Sequence, residues 1–539
     1  MPWDRLALVV LLPPLLLGAW LFAGAGVTNC DEWTFVHDGL RLVRGEVIHR
    51  DYFQFTPPGA AWLGGLAQAA LGPGVLGPRL VQEGGLVLTG LLLYGLARRL
   101  GCGPWLALWP ALAPVFALHR FIPAYSHHWL VLPWLAGALL LALRGAEAPG
   151  GRAATFGAGV LAGAACWVLQ SDGGVLVIAL LLWHGLEAWL GTGPTPRWRA
   201  SLAALLAGLG VALGAGAAWL AAHGALGAAY RDCWVWPLQQ YRTPGGFNDI
   251  PLATDLPLLL SPFTAHLHLP FAAWFYGKVY HLFGLYALYV LTPLLGVLWG
   301  LGLLVRRWRE GVRWQPDERA AGLVVLLAAG LVGATLRGRV DAIHVACYVW
   351  PSLLLAAGAA AATLRWRPPL ALAAWRPLPA LALAAWVGTG AGLWLNDMRI
   401  APQRWAQGLH PDALLSDFAS VRFLRARLRP GDRLAAWHYA GYWGVYAGPV
   451  VGRWNHMTPP HVGYYSPGEY RAFWEGLRRD RPRFVIWCPQ QPITPALRQA
   501  EWLWPLPGYR RVATLPHPIF DVSGVDALEA EVYERVDAS

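Results

Sequence analysis

Two adjacent acids, Asp31 and Glu32, follow the first apolar run of the chain and precede an amphipathic stretch. A carboxylate at a membrane surface, partly desolvated, would sit above its reference pKa of about 3.9 and could take a proton from a hydroxyl, which is general-base chemistry. Asn29 or Asp31 would equally cap a helix starting near Trp33, because acids suit the N-terminal end of a helix dipole. The two roles are compatible, since a capped helix end is a rigid mount.

Five further candidates could serve such a base. His49-Arg50-Asp51-Tyr52-Phe53 precedes Thr56-Pro57-Pro58. Arg50 and Asp51 suit either a solvated ion pair in a polar loop or a contact to phosphate or sugar, which Arg matches bidentately. In Tyr125-Ser126-His127-His128-Trp129 the adjacent histidines lack metal-ligand spacing and suit hydrogen bonding at an interface. Gln170–Gly174 is a hairpin carrying Asp172. Arg337, Arg339, Asp341 and His344 stand just before a late apolar run. Polar groups at that depth are functional candidates, or an anchor that pairs Arg339 with Asp341. Lys278, the single lysine, is either a snorkelling interfacial side chain or a phosphate ligand.

The elements that must position these residues follow from composition. A chain of 539 residues that is 56% hydrophobic and 14% charged cannot hide its apolar surface in a soluble domain. It reads as a polytopic α-helical membrane protein. Apolar runs at 6–27, 80–97, 104–118, 128–143, 153–169, 174–190, 200–222, 283–305, 320–336, 343–364 and 377–395 give eleven candidate spans. The run at 104–118 is short and holds Pro110 and Pro114. Further apolar runs make the first one an uncleaved span rather than a signal peptide.

The net charge of +11 is almost all arginine and lies in alternate connections. Arg98 and Arg99, Arg144 and Arg152, Arg197 and Arg199, Arg306 to Arg319, and Arg365 to Arg376 mark one side as cytoplasmic. The sequence therefore predicts a multi-pass protein of the inner (plasma) membrane with a cytoplasmic N-terminus. Segments 28–79 and 223–282 and everything after 395 fall outside. No basic stripe suggests nucleic acid.

Within the first outer segment, Trp33, Val36, Leu40 and Val43 recur at helical spacing opposite His37, Asp38, Arg41 and Arg44, as in a helix lying on the membrane surface. Gly59–Leu71 reads as a second interfacial helix. Residues 1–395 form the membrane domain. Residues 396–539 read as a soluble, periplasmic or extracellular α/β domain, with helices at Asp412–Leu428 and Pro467–Arg479 and strands at Arg433–Trp437, Val450–Arg453, Phe484–Cys488, Tyr509–Leu515 and Glu531–Val536. The six cysteines support neither a zinc site nor a disulfide framework, leaving open a Cys30–Cys233 bridge.

The order D-E, a surface helix ending L-V-R-G, R-D-Y-F and then T-P-P-G resembles the first outer loop of GT-C membrane glycosyltransferases, in particular family-39-like bacterial members that use polyprenyl-phosphate sugars. Arg339-Val340-Asp341-Ala342-Ile343-His344 with Pro351 resembles their R-x-D-x-x-H … P segment, and Tyr125–Trp129 their Y-S-x-H-W. The resemblance implies a GT-C-like fold and an integral membrane hexosyl- or pentosyltransferase. Asp31 would be the base, with Glu32 beside it, and transfer would invert the anomeric centre. The donor would be a polyprenyl-phosphate-linked sugar. The acceptor would be an envelope glycan, a lipid or a protein.

Arg50, Arg337, Arg339, His344 and Lys278 would neutralise the departing phosphate, with Asp51, His127, His128 and Asp341 completing the donor site. His127 and His128 stand where several relatives that modify lipid A carry a second acid, which leaves the two-acid arrangement and any use of a divalent metal open; no cofactor is expected to be required. His37 replaces an aromatic of the pattern. A transporter or flippase of a lipid-linked or anionic substrate is the competing reading, but no internal repeat is visible and the polar clusters lie at the outer boundary. A non-catalytic assembly partner that binds through its soluble tail is the third.

Overall fold

The computed structural model describes residues 2–24, 30–119, 124–148, 150–189, 197–240, 287–310, 314–337, 342–365, 375–397, 411–437, 440–450, 475–487, 507–521 and 524–536. The protein is a helical bundle bearing a small α/β unit. The helices are α1 (Pro2–Ala23), α2 (Cys30–Val43), α3 (Gly59–Leu71), α4 (Leu76–Arg99), α5 (Leu108–Ala113), α6 (His127–Leu130), α7 (Leu132–Glu147), α8 (Arg152–Val168), α9 (Gln170–Trp189) and α10 (Arg197–Ala222). Then come α11 (Leu226–Tyr230), α12 (Trp236–Gln240), α13 (Thr292–Glu310), α14 (Pro316–Arg337), α15 (Ala342–Tyr348), α16 (Trp350–Arg365) and α17 (Leu378–Asp397).

Each of the eleven apolar runs contains helix where described, although 104–107 is a turn, Leu169 is extended and the run at 343–364 is broken at Val349. Seven helices among the described residues are long and apolar enough to cross a membrane, and three shorter apolar ones accompany them. Prolines account for the irregular members. Pro114 begins a π-helical turn that continues α5 to Leu118. Pro351 lacks the N–H that would join α15 to α16, and the chain steps across Val349 there.

The C-terminal unit contains α18 (Pro411–Ser416), α19 (Ala419–Arg425), β1 (Leu434–Trp437), α20 (Ala440–Tyr446), β2 (Phe484–Trp487), β3 (Tyr509–Asp521) and β4 (Gly524–Arg535). The sheet runs β1-β2-β4-β3. β1 and β2 are parallel, whereas β4 is antiparallel to both of its neighbours. Val450 makes only an isolated bridge to Leu434, and 451–453 lie outside the described residues. Of the helix expected at 467–479, residues 475–479 are described, in a helical segment running to 480.

The bounds of α3 match the expected ones. α2 departs from expectation, because its polar face is buried as deeply as its apolar one. Trp33, Val36 and Leu40 are buried, and so are His37, Asp38 and Arg41. α20, which lies across α2, covers Trp33 and His37, while Tyr52 and Gln54 of the following connection cover Asp38 and Arg41. A Cβ at Gly441 would collide with the Trp33 carbonyl, and one at Gly444 with the His37 ring. Trp33 meets Tyr442 and Tyr446 edge-on at 5.1 and 5.7 Å between ring centroids. Asp412 of α18 adds a second junction. Its carboxylate accepts the N–H groups of Val75 (2.7 Å) and Leu76 (3.2 Å) at the start of α4. The α/β unit is thus packed onto α2 and α4.

Candidate active site

The site grows from the N-terminal end of α2. Asp31 lies in its first turn, and its side chain is outside the described residues. Glu32 is fully buried and forms a two-point ion pair with Arg79 of α4, 2.7 Å at each contact. Its Oε1 also accepts the Tyr125 N–H at 3.0 Å. Glu32 is therefore committed to holding α2 against α4 and the segment before α6. One turn on, Gln82 accepts the Ser126 N–H at 2.7 Å. That bond orients the amide so that its NH2 faces His119 Nε2, 3.1 Å away. Ser126 caps α6, its Oγ accepting the His128 N–H. Tyr125 donates its hydroxyl to the Ala60 carbonyl of α3 at 2.6 Å.

These bonds deliver His127 and His128 into a cluster with residues far away in sequence. The His127 and His128 rings lie 4.0 Å apart, and His128 meets His344 edge-on at 5.2 Å. The Tyr348 hydroxyl is 3.1 Å from His128 Nδ1. With tyrosine donating, His128 carries its proton on Nε2. Phe35, one helical turn beyond Asp31 on α2, packs its ring 4.6 Å from His127. Asp172, buried at the start of α9, is within electrostatic reach of His344. It accepts from Ser171 at 2.9 Å, and its Oδ2 has no hydrogen-bond partner among the described residues.

Arg50 and Asp51 form a different arrangement. They pair at 2.8 Å through both guanidinium and both carboxylate contacts. Arg50 also donates to the His223 carbonyl at 3.2 Å, and Asp51 accepts the Val47 N–H at 2.7 Å. The hydrogen bond from Arg50 holds the Asp51 carboxyl below the usual carboxylate range. The pair staples its own turn to the end of α10. Arg337 is exposed at the end of α14. Lys278, Arg339 and Asp341 lie outside the described residues.

Tyr348 was not among the sequence candidates, and His49 and Gln170 stood in candidate stretches without a role of their own. Tyr348 follows His344 by four residues on one helix, a spacing that could have flagged it. His49 is buried at a positive φ of 69°, a conformation that costs a non-glycine residue energy. Its Nδ1 lies 3.3 Å from Asp232 and its Nε2 3.7 Å from Cys233. Cys233 is a free thiol, and the side chain of Cys30, its conceivable partner, lies outside the described residues. Gln170 donates to the Phe55 and Cys233 carbonyls at 2.9 and 3.2 Å. The turn containing Cys233 is thereby fastened to the first connection close to Asp172. Asp38, behind the site, accepts from Gln54 at 2.7 Å, and burial pushes its carboxyl up to about 7.

Three imidazoles, a phenol and a carboxyl form a polar floor beside the end of α2. Such a floor offers donors to an anionic group and leaves α2 to supply a base. Among the described residues, no group of three His, Cys, Asp or Glu is arranged to hold a metal ion.

No protein-family model matches the sequence, and no curated protein matches it. Solved structures do. ArnT from Cupriavidus metallidurans in the apo state aligns over 98% of this chain and 98% of its own, with a TM-score of 0.52 and 14% identity. The same protein bound to undecaprenyl phosphate aligns over 100% and 98%, with a TM-score of 0.50 and 14% identity. The Archaeoglobus fulgidus oligosaccharyltransferase in complex with Zn and sulfate aligns over 96% of this chain and 73% of its own, with a TM-score of 0.51 and 13% identity. The chain shares the overall fold of these membrane proteins, a polytopic helical bundle with a C-terminal α/β unit, as its motifs implied.

Proposed function

We propose that the protein is an integral membrane glycosyltransferase that moves a sugar from a polyprenyl-phosphate donor to an envelope glycan, glycolipid or protein acceptor at the outer face of the membrane. The carrying observation is convergence. His127 and His128, His344 and Tyr348, and Phe35 come from three separate parts of the chain and meet at one end of the bundle. The fold shared with a protein solved with undecaprenyl phosphate supports a lipid-phosphate donor.

In this reading the acceptor hydroxyl attacks the anomeric carbon and gives its proton to the Asp31 carboxylate. The bond from that carbon to the phosphate oxygen breaks, and its electron pair leaves with the phosphate. A single displacement inverts the centre. Phosphate is a good leaving group, so the site needs a base and charge-stabilising donors more than a strong acid. His127, His128, His344 and Arg337 supply donors, and Tyr348 orients His128. Arg339, Asp341 and Lys278 are assigned to the donor site by motif and sequence position. Glu32 is a positioning residue, and Arg50 with Asp51 shapes the loop beside the site.

Mass spectrometry of envelope glycans, glycolipids and glycoproteins in a deletion strain tests the reading. The expected result is one glycoform lacking a single sugar. An unchanged set would count against glycosyl transfer.

A further inference from the structure

Helix α4 has no cap of its own, because Val75 stands at its N-cap position and makes no side-chain hydrogen bond there. A residue of the C-terminal unit fills that place. Asp412 Oδ1 accepts the Val75 N–H at 2.7 Å and the Tyr446 hydroxyl at 2.5 Å, while Oδ2 accepts the Leu76 N–H at 3.2 Å. Its negative charge suits the positive end of the α4 dipole. Gly74 makes room for it. A Cβ there would overlap the Asp412 carboxylate, and the Gly74 φ of 147° favours glycine.

This contact reaches the end of α2 by two routes. The first runs through α4. Arg79, one turn after Val75, donates its N–H to the Val75 carbonyl at 3.0 Å, and its guanidinium holds Glu32. The second runs through α20. Tyr446 donates to Asp412 and packs edge-on against Trp33. Glu32 and Trp33 directly follow Asp31. Two successive residues after Asp31 are thus tied, by separate elements, to one carboxylate of the C-terminal unit.

We propose that Asp412 is a positioning residue through which the C-terminal unit sets the place of the N-terminal end of α2, the end that carries Asp31. The consequence for sugar transfer rests on the reading of Asp31 as the base, whereas the placement of α2 does not. A misplacement of about 1 Å can cost on the order of 100-fold in rate, so a contact remote from the reacting atoms can govern turnover.

Hydrogen exchange of the full-length protein in detergent, read by mass spectrometry, tests the placement. Complementation of a deletion strain, read on the envelope glycans at matched membrane levels, tests its consequence. Asp412→Leu keeps a side chain of similar shape and loses all three bonds. It should speed exchange about fivefold in the first turns of α4 and α2, the scale of a lost helix cap. It should also lower the sugar restored by about tenfold. Asp412→Asn keeps an oxygen for the two shorter bonds and should hold both readouts near wild type. Arg483→Gln breaks the pairs to Asp432 and Glu534 elsewhere in the C-terminal unit, and should change neither segment. Tyr446→Phe removes one hydroxyl and should give a smaller rise in the same two segments.

Unchanged exchange at α2 in Asp412→Leu, or in Tyr446→Phe should Asp412→Leu not fold, would overturn the proposal. So would the same rise in Arg483→Gln, or full restoration of the sugar by Asp412→Leu where Asp31→Asn restores none. A wild type that restores no sugar would count against glycosyl transfer itself, and the exchange result then decides the role of Asp412.

Discussion

Glu32 and Arg79 are joined by a two-point ion pair whose side chains are almost wholly excluded from solvent. The acid beside the proposed base is thus part of the frame. Removing one partner strands a buried charge, so Arg79→Ala should destabilise the protein by about 3–5 kcal/mol. The double variant Glu32→Gln with Arg79→Gln should lose less than the sum of its single variants. Thermal unfolding in detergent checks both. Residual sugar transfer by Glu32→Gln should follow its folded fraction.

Helix α20 meets the His37 ring of α2 at Gly444, with no room for a side chain there. Gly444→Leu should cost about 1–3 kcal/mol, as overpacking does, and should make the C-terminal unit easier to cleave by protease. Limited proteolysis against the wild type reads this out. An unchanged digestion pattern would contradict the docking of the two units.

Asp38 sets a dependence on pH. Its carboxyl is raised from an ordinary 3.8 to about 7, chiefly by burial. Between these values the folded state holds the proton that the unfolded state has released, so this group's contribution to stability falls as pH rises from about 4 to about 7 and is level above. Asp38→Asn should remove that slope, worth up to about 4 kcal/mol on the linkage scale. Unfolding measured from pH 4 to 8 tests it.

The Tyr348 hydroxyl fixes His128 through Nδ1. Tyr348→Phe should lower turnover about tenfold, the order expected from losing one hydrogen bond, with little change in stability. A fall in kcat without a shift in unfolding midpoint supports a positioning role.

Much of the bundle was legible because apolar runs and prolines act locally. Where described, the eleven runs are mainly helix, broken or shortened at the runs that hold Pro110, Pro114 and Pro351, and α3 kept its expected bounds. The pairing of His127 and His128 with His344 followed from their common placement at span ends. The burial of α2 was not legible. Its polar face looked solvated, yet Gly444 of the distant α20 covers His37, and Tyr52 and Gln54 of the following connection cover Asp38 and Arg41. The Glu32 partnership was equally hidden, since Arg79 reads as one more charge at a span boundary. The bond between His49 and Asp232 joins residues far apart in the chain, and no local spacing announces it.

The central claim is that Asp31 takes the acceptor's proton. Its most direct test is complementation of a deletion strain with wild type or Asp31→Asn at matched membrane levels, read by mass spectrometry of the envelope glycans. The account predicts that the wild type restores the missing sugar and that Asp31→Asn, equally stable, does not. Full restoration by Asp31→Asn would contradict it.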